Sequence, residues 1–314
     1  MNTFLYTLFV SIKRGTPLLL GTTGEILTEK SGSLNLGVEG MMAIGAIVGY
    51  YFGCLANSLF VALLMAFVGG AFAGAIFAFL TITMQANQNV TGLTMTIFGT
   101  ALCKFIGSYL YSNGKLPKIP SNIANALQEN SSNLFAQNAI VYVAIAIAIA
   151  CWIYLRFSKK GLHLRAIGEN PSSADAVGIN VNAYKYANVI VGGGITGIGG
   201  VYMALVINGG AWNENWINGY GWISLALVIF ANWNPLVAIF GSYLFGLLGA
   251  LQSLSGNFAH EFPKALGWMS AIPPDFYQML PFLITAVILI VSSIKKGRSQ
   301  SPSALGRNYY REER

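Results

Sequence analysis

The chain carries apolar stretches too long for a soluble fold to hide, and residues 139–155 are the plainest, with no charge at any position. Where water is absent, every backbone N–H and C=O must find its partner within the protein, so such a run becomes a helix. Mostly apolar runs recur at 15–28, 38–53, 58–84, 90–112, 139–155, 186–208, 219–232, 235–254 and 276–294. Composition agrees: 9% of residues are charged, against about 25% in soluble domains. The expected fold is an all-α integral membrane protein, a bundle of eight to ten transmembrane helices with short or broken members. One transmembrane domain spans 1–294, and a cytoplasmic tail follows over 295–314.

Charge orients the bundle. Arg156, Lys159 and Lys160 close one apolar run, and Lys295, Lys296, Arg298, Arg307, Arg311 and Arg314 follow the last. Positive residues gather at the cytoplasmic ends of spans, so both places are read as cytoplasmic. The polar island at about 159–181 then faces the cytoplasm and is large enough to meet a partner or ligand there. The polar, charge-poor stretch at about 113–137 falls outside. The same count leaves Lys13-Arg14 outside, against the charge rule, and so keeps the side of the N-terminus open. Because those two residues interrupt the first apolar run, no secretory leader is expected. The net charge of +7 sits mostly in loops and tail, so the expected surroundings are membrane lipid and not nucleic acid.

Three runs (15–28, 38–53 and 219–232) fall below the roughly 20 residues that a crossing needs. Short runs fit half-helices that stop at membrane depth beside a cavity. Twice a short run precedes a long one, 38–53 before 58–84 and 219–232 before 235–254, in opposite directions. That order fits an inverted repeat. Small residues four apart (Gly70, Gly74, Ala78; Thr196, Gly200, Ala204; Ala238, Ser242, Gly246, Ala250) mark faces where helix backbones approach closely.

No catalytic constellation and no metal set emerge. His163 and His260 stand alone, and Cys54, Cys103 and Cys151 read as packing residues without CxxC spacing. The glycines of 192–200 lie inside an apolar run and lack the surroundings of a nucleotide loop. Glu39 is the sharpest single residue, since a carboxylate at the membrane end of a helix is a functional candidate. Its alternative is a first-turn anion favoured by the helix dipole. Asn35 shares the interrupted stretch before it. Asn87, Gln88, Asn89 and Thr91 form a second polar patch, and Lys104 needs a partner or a route to the interface. Asn215, Trp216, Asn218, Tyr220 and Trp222 suit either an aromatic belt or a site that stacks a ring-bearing solute. The candidates for lining a route are Asn35, Glu39, Asn89, Thr91, Trp222 and Asn232.

Four motifs in order carry a resemblance. The first is Ser31-Gly32-Ser33-Leu34-Asn35-Leu36-Gly37-Val38-Glu39-Gly40-Met41-Met42. The second is Arg165-Ala166-Ile167-Gly168-Glu169-Asn170-Pro171 with Ala174, Asp175, Gly178, Ile179 and Val181. The third is the run from Gly219 to Phe230 followed by Trp233-Asn234-Pro235, and the fourth is the tail from Ser301 to Gly306 with Tyr309-Tyr310-Arg311. Together they resemble permease subunits of ABC importers of the ribose and branched-chain amino acid class, nearest its nucleoside subgroup. The resemblance implies a multi-pass subunit of the bacterial cytoplasmic membrane that conducts nucleosides, with sugars or branched-chain amino acids as the alternative solutes. It also implies a second permease subunit (a related but different chain), two cytoplasmic ATPase subunits and an external solute-binding lipoprotein. This chain would bind no cofactor, ATP being used by the partners. Arg165, Gly168, Glu169, Asn170, Ala174 and Gly178 would couple it to the ATPase. Lys30 where an arginine is expected, and Ala231-Asn232 in place of a Gly-centred step, depart from the pattern. An ion-gradient transporter is the competing class, and Glu25, Glu39 and Lys104 are the few ionisable residues it would have.

Overall fold

The computed structural model describes residues 3–129, 133–217, 219–261, 272–294 and 301–310, and among them every regular element is a helix. Asn218 and the tail residues Lys295, Lys296, Arg298, Arg311 and Arg314 lie outside the described residues. In chain order the helices are α1 (Thr3–Lys30), α2 (Val38–Leu55), α3 (Leu59–Ala78), α4 (Gln88–Ser112), α5 (Ser121–Ala126), α6 (Ala139–Phe157), α7 (Lys159–Glu169), α8 (Pro171–Ala176), α9 (Val181–Tyr202), α10 (Tyr220–Phe230), α11 (Pro235–Glu261) and α12 (Pro274–Ile294). Single π-turns, Phe79–Thr83 and Met203–Ile207, extend α3 and α9.

Helix starts follow local chemistry. The side chains of Asn87, Asn138, Ser158, Asn170 and Asn180 each accept a backbone N–H from the first turn of α4, α6, α7, α8 and α9. Each thereby pairs a donor that the helix itself cannot satisfy.

The centre is built from α2, α3 and α9. Both α2 and α9 are buried around most of their circumference, whereas α3, α4 and α6 turn one apolar face outward. Phe60, Phe72, Ile97 and Phe105 stand exposed on α3 and α4, as expected of surfaces solvated by lipid. The central helices meet through glycine. A Cβ on Gly45 would collide with the Gly197 backbone, and one on Gly197 would collide with Ala66 and Gly70. Backbones this close gain dispersion contact, which replaces the missing hydrophobic drive between helices in lipid.

Among the described residues, five helical stretches are long and apolar enough to cross a membrane: Val38–Leu55, Leu59–Thr83, Gln88–Ser112, Ala139–Phe157 and Val181–Ile207. This is fewer than the eight to ten expected from sequence. Two of the three short runs also change character. Run 15–28 belongs to the 28-residue α1, and run 38–53 becomes the 18-residue α2, long enough to count among the five. Only 219–232 stays short, as the 11-residue α10, about 16 Å at 1.5 Å per residue. What kept α1 from being read whole was Lys13-Arg14. Lys13 donates to Glu129 at 2.8 Å, so a carboxylate 116 positions away holds that charge inside the helix.

Candidate functional site

Two helices begin in the interior of the bundle, and they begin against each other. After α1 ends, residues 33–37 run without helical structure alongside α4. Leu34 N–H donates to Gln88 Oε1 at 2.7 Å, and Thr96 Oγ1 donates to the Leu36 carbonyl at 2.8 Å. Gly40, in the first turn of α2, meets the α4 backbone at Met95 and Gly99. Gly37, which precedes α2, meets Gly92 and Met95, four and seven residues into α4, so α2 starts roughly 6–10 Å along it. α10 approaches from the opposite direction, after the segment 208–217. Its Gly221 packs directly on the backbone of Glu39, and Gly219 N–H donates to Glu39 Oε1 at 2.9 Å. Gly219 itself has φ +83°, a left-handed turn that a side chain would strain.

Glu39 therefore serves two helix N-termini at once. It lies in the first turn of α2 and accepts from the residue preceding α10. Both ends carry partial positive charge, which favours a carboxylate between them, as in the first-turn reading of Glu39. Among the described residues, its second oxygen, Oε2, is buried without a hydrogen-bond partner of normal geometry. The residue also borders a cavity of about 260 Å³, together with Thr100, Lys104, Glu214 and Asn215. Glu39→Ala is expected to lower the thermal midpoint of the purified protein, since a hydrogen bond to a charged group is worth about 1.5–3 kcal/mol. Glu39→Gln keeps an acceptor and should lose less. Equal midpoints for the alanine variant and wild type would refute the junction role.

Below this junction α1 acts as a post. Glu25 and Glu29, one turn apart and both buried, each hold one of the broken segments. Asn35 Nδ2 donates to Glu25 Oε2 at 2.9 Å, and Trp233 Nε1 donates to Glu29 Oε2 at 2.5 Å. Asn35 Oδ1 also accepts from Gly37 N–H at 2.8 Å, which shapes the turn into α2. The Asn35 amide is thus engaged by protein on both sides.

The other sequence candidates disperse. Thr91 is buried and returns its hydroxyl to the Asn87 carbonyl, while Asn89 is exposed. Trp222 points its ring outward, 39% exposed. Asn232 sits at φ +50° in the turn between α10 and α11. The larger cavity, about 630 Å³, lies elsewhere, against α1, α10, α11 and α12. Its wall combines Trp216, Tyr220 and Tyr277 with Asn208, Asn213 and Asn215, and Arg14 is the one charged residue among the described lining. Three of these (Asn215, Trp216 and Tyr220) belong to the aromatic–amide stretch visible in the sequence. Arg14 and Tyr277 had no such signal, because α1 and α12 reach the cavity only through tertiary packing. Gly219 borders both cavities.

The island at 159–181 is two helices, α7 and α8, hinged at Asn170. Gly168 is buried against the carbonyl of Lys30 at the end of α1. Arg165, Glu169 and Asn170 are exposed, Ala174 is buried, and Gly178 makes a left-handed turn at φ +86°.

The profile of the family described as "Branched-chain amino acid transport system / permease component" matches residues 7–291. The chain belongs to this permease family. It is a multi-pass helical protein of the cytoplasmic membrane and a transport subunit, not a catalyst. A nucleoside ABC transporter permease protein of Lactococcus lactis is 33% identical over 308 residues, covering 94% of this chain and 93% of its own length. The "putative glucose ABC transporter permease protein" of Haloferax volcanii is 34% identical, covering 96% of each chain. A guanosine ABC transporter permease protein of Bacillus subtilis is 29% identical, covering 95% and 94%. No solved structure gives a significant match.

Proposed function

We propose that this chain is the permease subunit of an ATP-driven importer whose solute is a nucleoside. The observation that carries the solute is the end-to-end likeness to relatives named for nucleoside and guanosine transport. The larger cavity is chemically compatible. Its volume of about 630 Å³ falls within the usual range for small-molecule sites, and aromatic faces beside amides suit a flat base with a polar edge. A zwitterionic amino acid would call for an acid and a base facing each other, and this wall has one cation and no acid among its described residues.

The side carrying α7, α8 and residues 301–310 is taken as cytoplasmic, from the positive residues Arg156, Lys159 and Lys160 at the α6–α7 corner. α1, α11 and α12 then join the five long apolar stretches as crossings, and α10 is a half-crossing. α2 and α10, starting against each other and running apart, form the core of an inverted repeat. The hinged pair α7–α8 docks on an ATPase subunit, one of two, and the partners hydrolyse the ATP. A second, related permease chain and an external solute-binding lipoprotein complete the importer.

The relative named for glucose makes a sugar the second reading. One measurement separates them: competition for labelled nucleoside uptake in cells lacking other nucleoside carriers. Excess adenosine, guanosine or uridine is expected to abolish uptake, and glucose, ribose and leucine to leave it unchanged. No carrier-dependent uptake of labelled nucleoside, with labelled glucose or leucine taken up instead, would overturn the solute.

A further inference from the structure

The tail segment 301–310 does not hang free. It crosses the end of the bundle and is tied to four separate parts of the chain. Ala304 N–H donates to the Gly168 carbonyl at 2.9 Å, and Ser303 Oγ donates to Glu169 at 2.6 Å, both at the end of α7. Tyr309 OH donates to Asp175 of α8 at 2.7 Å. Gly306 N–H donates to the Gly32 carbonyl at 3.1 Å, just past α1. Asn308 Nδ2 donates to the Gln85 carbonyl at 2.6 Å, in the turn before α4.

One side chain joins this strap to the junction. Gln88 Nε2 donates to Asn308 Oδ1 at 3.0 Å, while Gln88 Oε1 accepts the N–H of Leu34 at 2.7 Å. Leu34 is covalently next to Asn35, which is held by Glu25. A continuous series therefore runs from Asp175 through Tyr309, Asn308, Gln88 and Leu34 to Asn35. The geometry at Gly306–Gly32 is equally specific. Both glycines are left-handed, at φ +76° and +83°, so their backbones meet where side chains would strain the chain.

We infer that residues 301–310 are a relay that carries displacement of α7–α8 to the buried entrance of α2. It rests on the reading that α7–α8 dock on an ATPase. A coupling path needs physically connected parts that move together, and the strap bonds α7, α8, the end of α1 and the entrance of α2 in one segment. α7 reaches the end of α1 directly through Gly168, and the bond from Tyr309 to Asp175 ties α8 to the same strap.

The test uses the assembled importer in vesicles, reading solute uptake and ATP hydrolysis together. Asn308→Ala and Tyr309→Phe are expected to keep assembly and basal ATP hydrolysis while lowering uptake per ATP by roughly fivefold, the scale on which residues along a coupling path act. Tyr309→Phe and Asp175→Ala should be non-additive, since they remove the same bond. Unchanged uptake per ATP in both strap variants would overturn the relay. So would loss of assembly, which would make the strap a structural staple. Val177→Asp, at an exposed position at the end of α8, tests the docking reading separately. If it leaves transport untouched, docking through α8 fails whatever the strap variants do.

Discussion

Gly197→Leu is expected to abolish recovery of folded protein. Position 197 lies where α9 crosses α3 and α2, and the walls of that crossing are backbone: the Ala66 carbonyl, the Gly70 Cα and Gly45. Backbone cannot rotate out of the way as the far end of a side chain can, so the added atoms must push helices apart. Separation would cost contacts along several turns, because Gly70 and Gly193, and Gly200 and Met42, meet by the same close approach. A loss of at least about 4 kcal/mol follows, in the range reserved for a few severe mechanisms. The control is Val191→Leu, on the same helix but 42% exposed. Membrane yield and the thermal midpoint of solubilised protein are the readouts. A Gly197→Leu protein with the yield and midpoint of the control would show that the three-helix contact is looser than described.

That crossing was partly legible in the sequence and partly not. The small residues four apart, Gly70, Gly74 and Ala78 with Thr196, Gly200 and Ala204, marked close packing faces. These are local signals, fixed within a few residues of where they act. The junction has no local signal. Glu39 meets Gly219 across 180 positions, and nothing in either neighbourhood names the other. Glu25 was visible as an ionisable residue in an apolar run, but Asn35 and Trp233, the partners of Glu25 and Glu29, come from both halves of the chain. α1 was divided at Lys13-Arg14 for the same reason, since Glu129 is invisible from that end. The tail motif was recognisable by resemblance, whereas its bonds to Gln85, Gly168 and Asp175 were not. Sequence pattern conveyed which residues are unusual, and tertiary structure conveyed what each is unusual for.

Gly168 brings these strands together, and Gly168→Leu is expected to leave an inserted protein that does not transport. The residue ends α7 against the Lys30 carbonyl, and Pro302 of the strap closes the other side. A Cβ here would already collide with backbone, and a leucine must drive α7 away from α1. That displacement also strains the Ala304–Gly168 bond, so α7 loses its contacts with helix and tail together. The glycine crossing of α2, α3 and α9 lies elsewhere in the bundle and is untouched, so the thermal midpoint should stay near that of wild type. Uptake is expected to fall by about a hundredfold, the upper end of a typical coupling free energy, while the ATPase partners still hydrolyse ATP. Measuring both in the same vesicles decides the matter. Uptake and hydrolysis that fall together, with assembly intact, would mean that α7 activates the ATPase and does not transmit its stroke. Uptake at the wild-type level would remove α7 from the coupling path altogether.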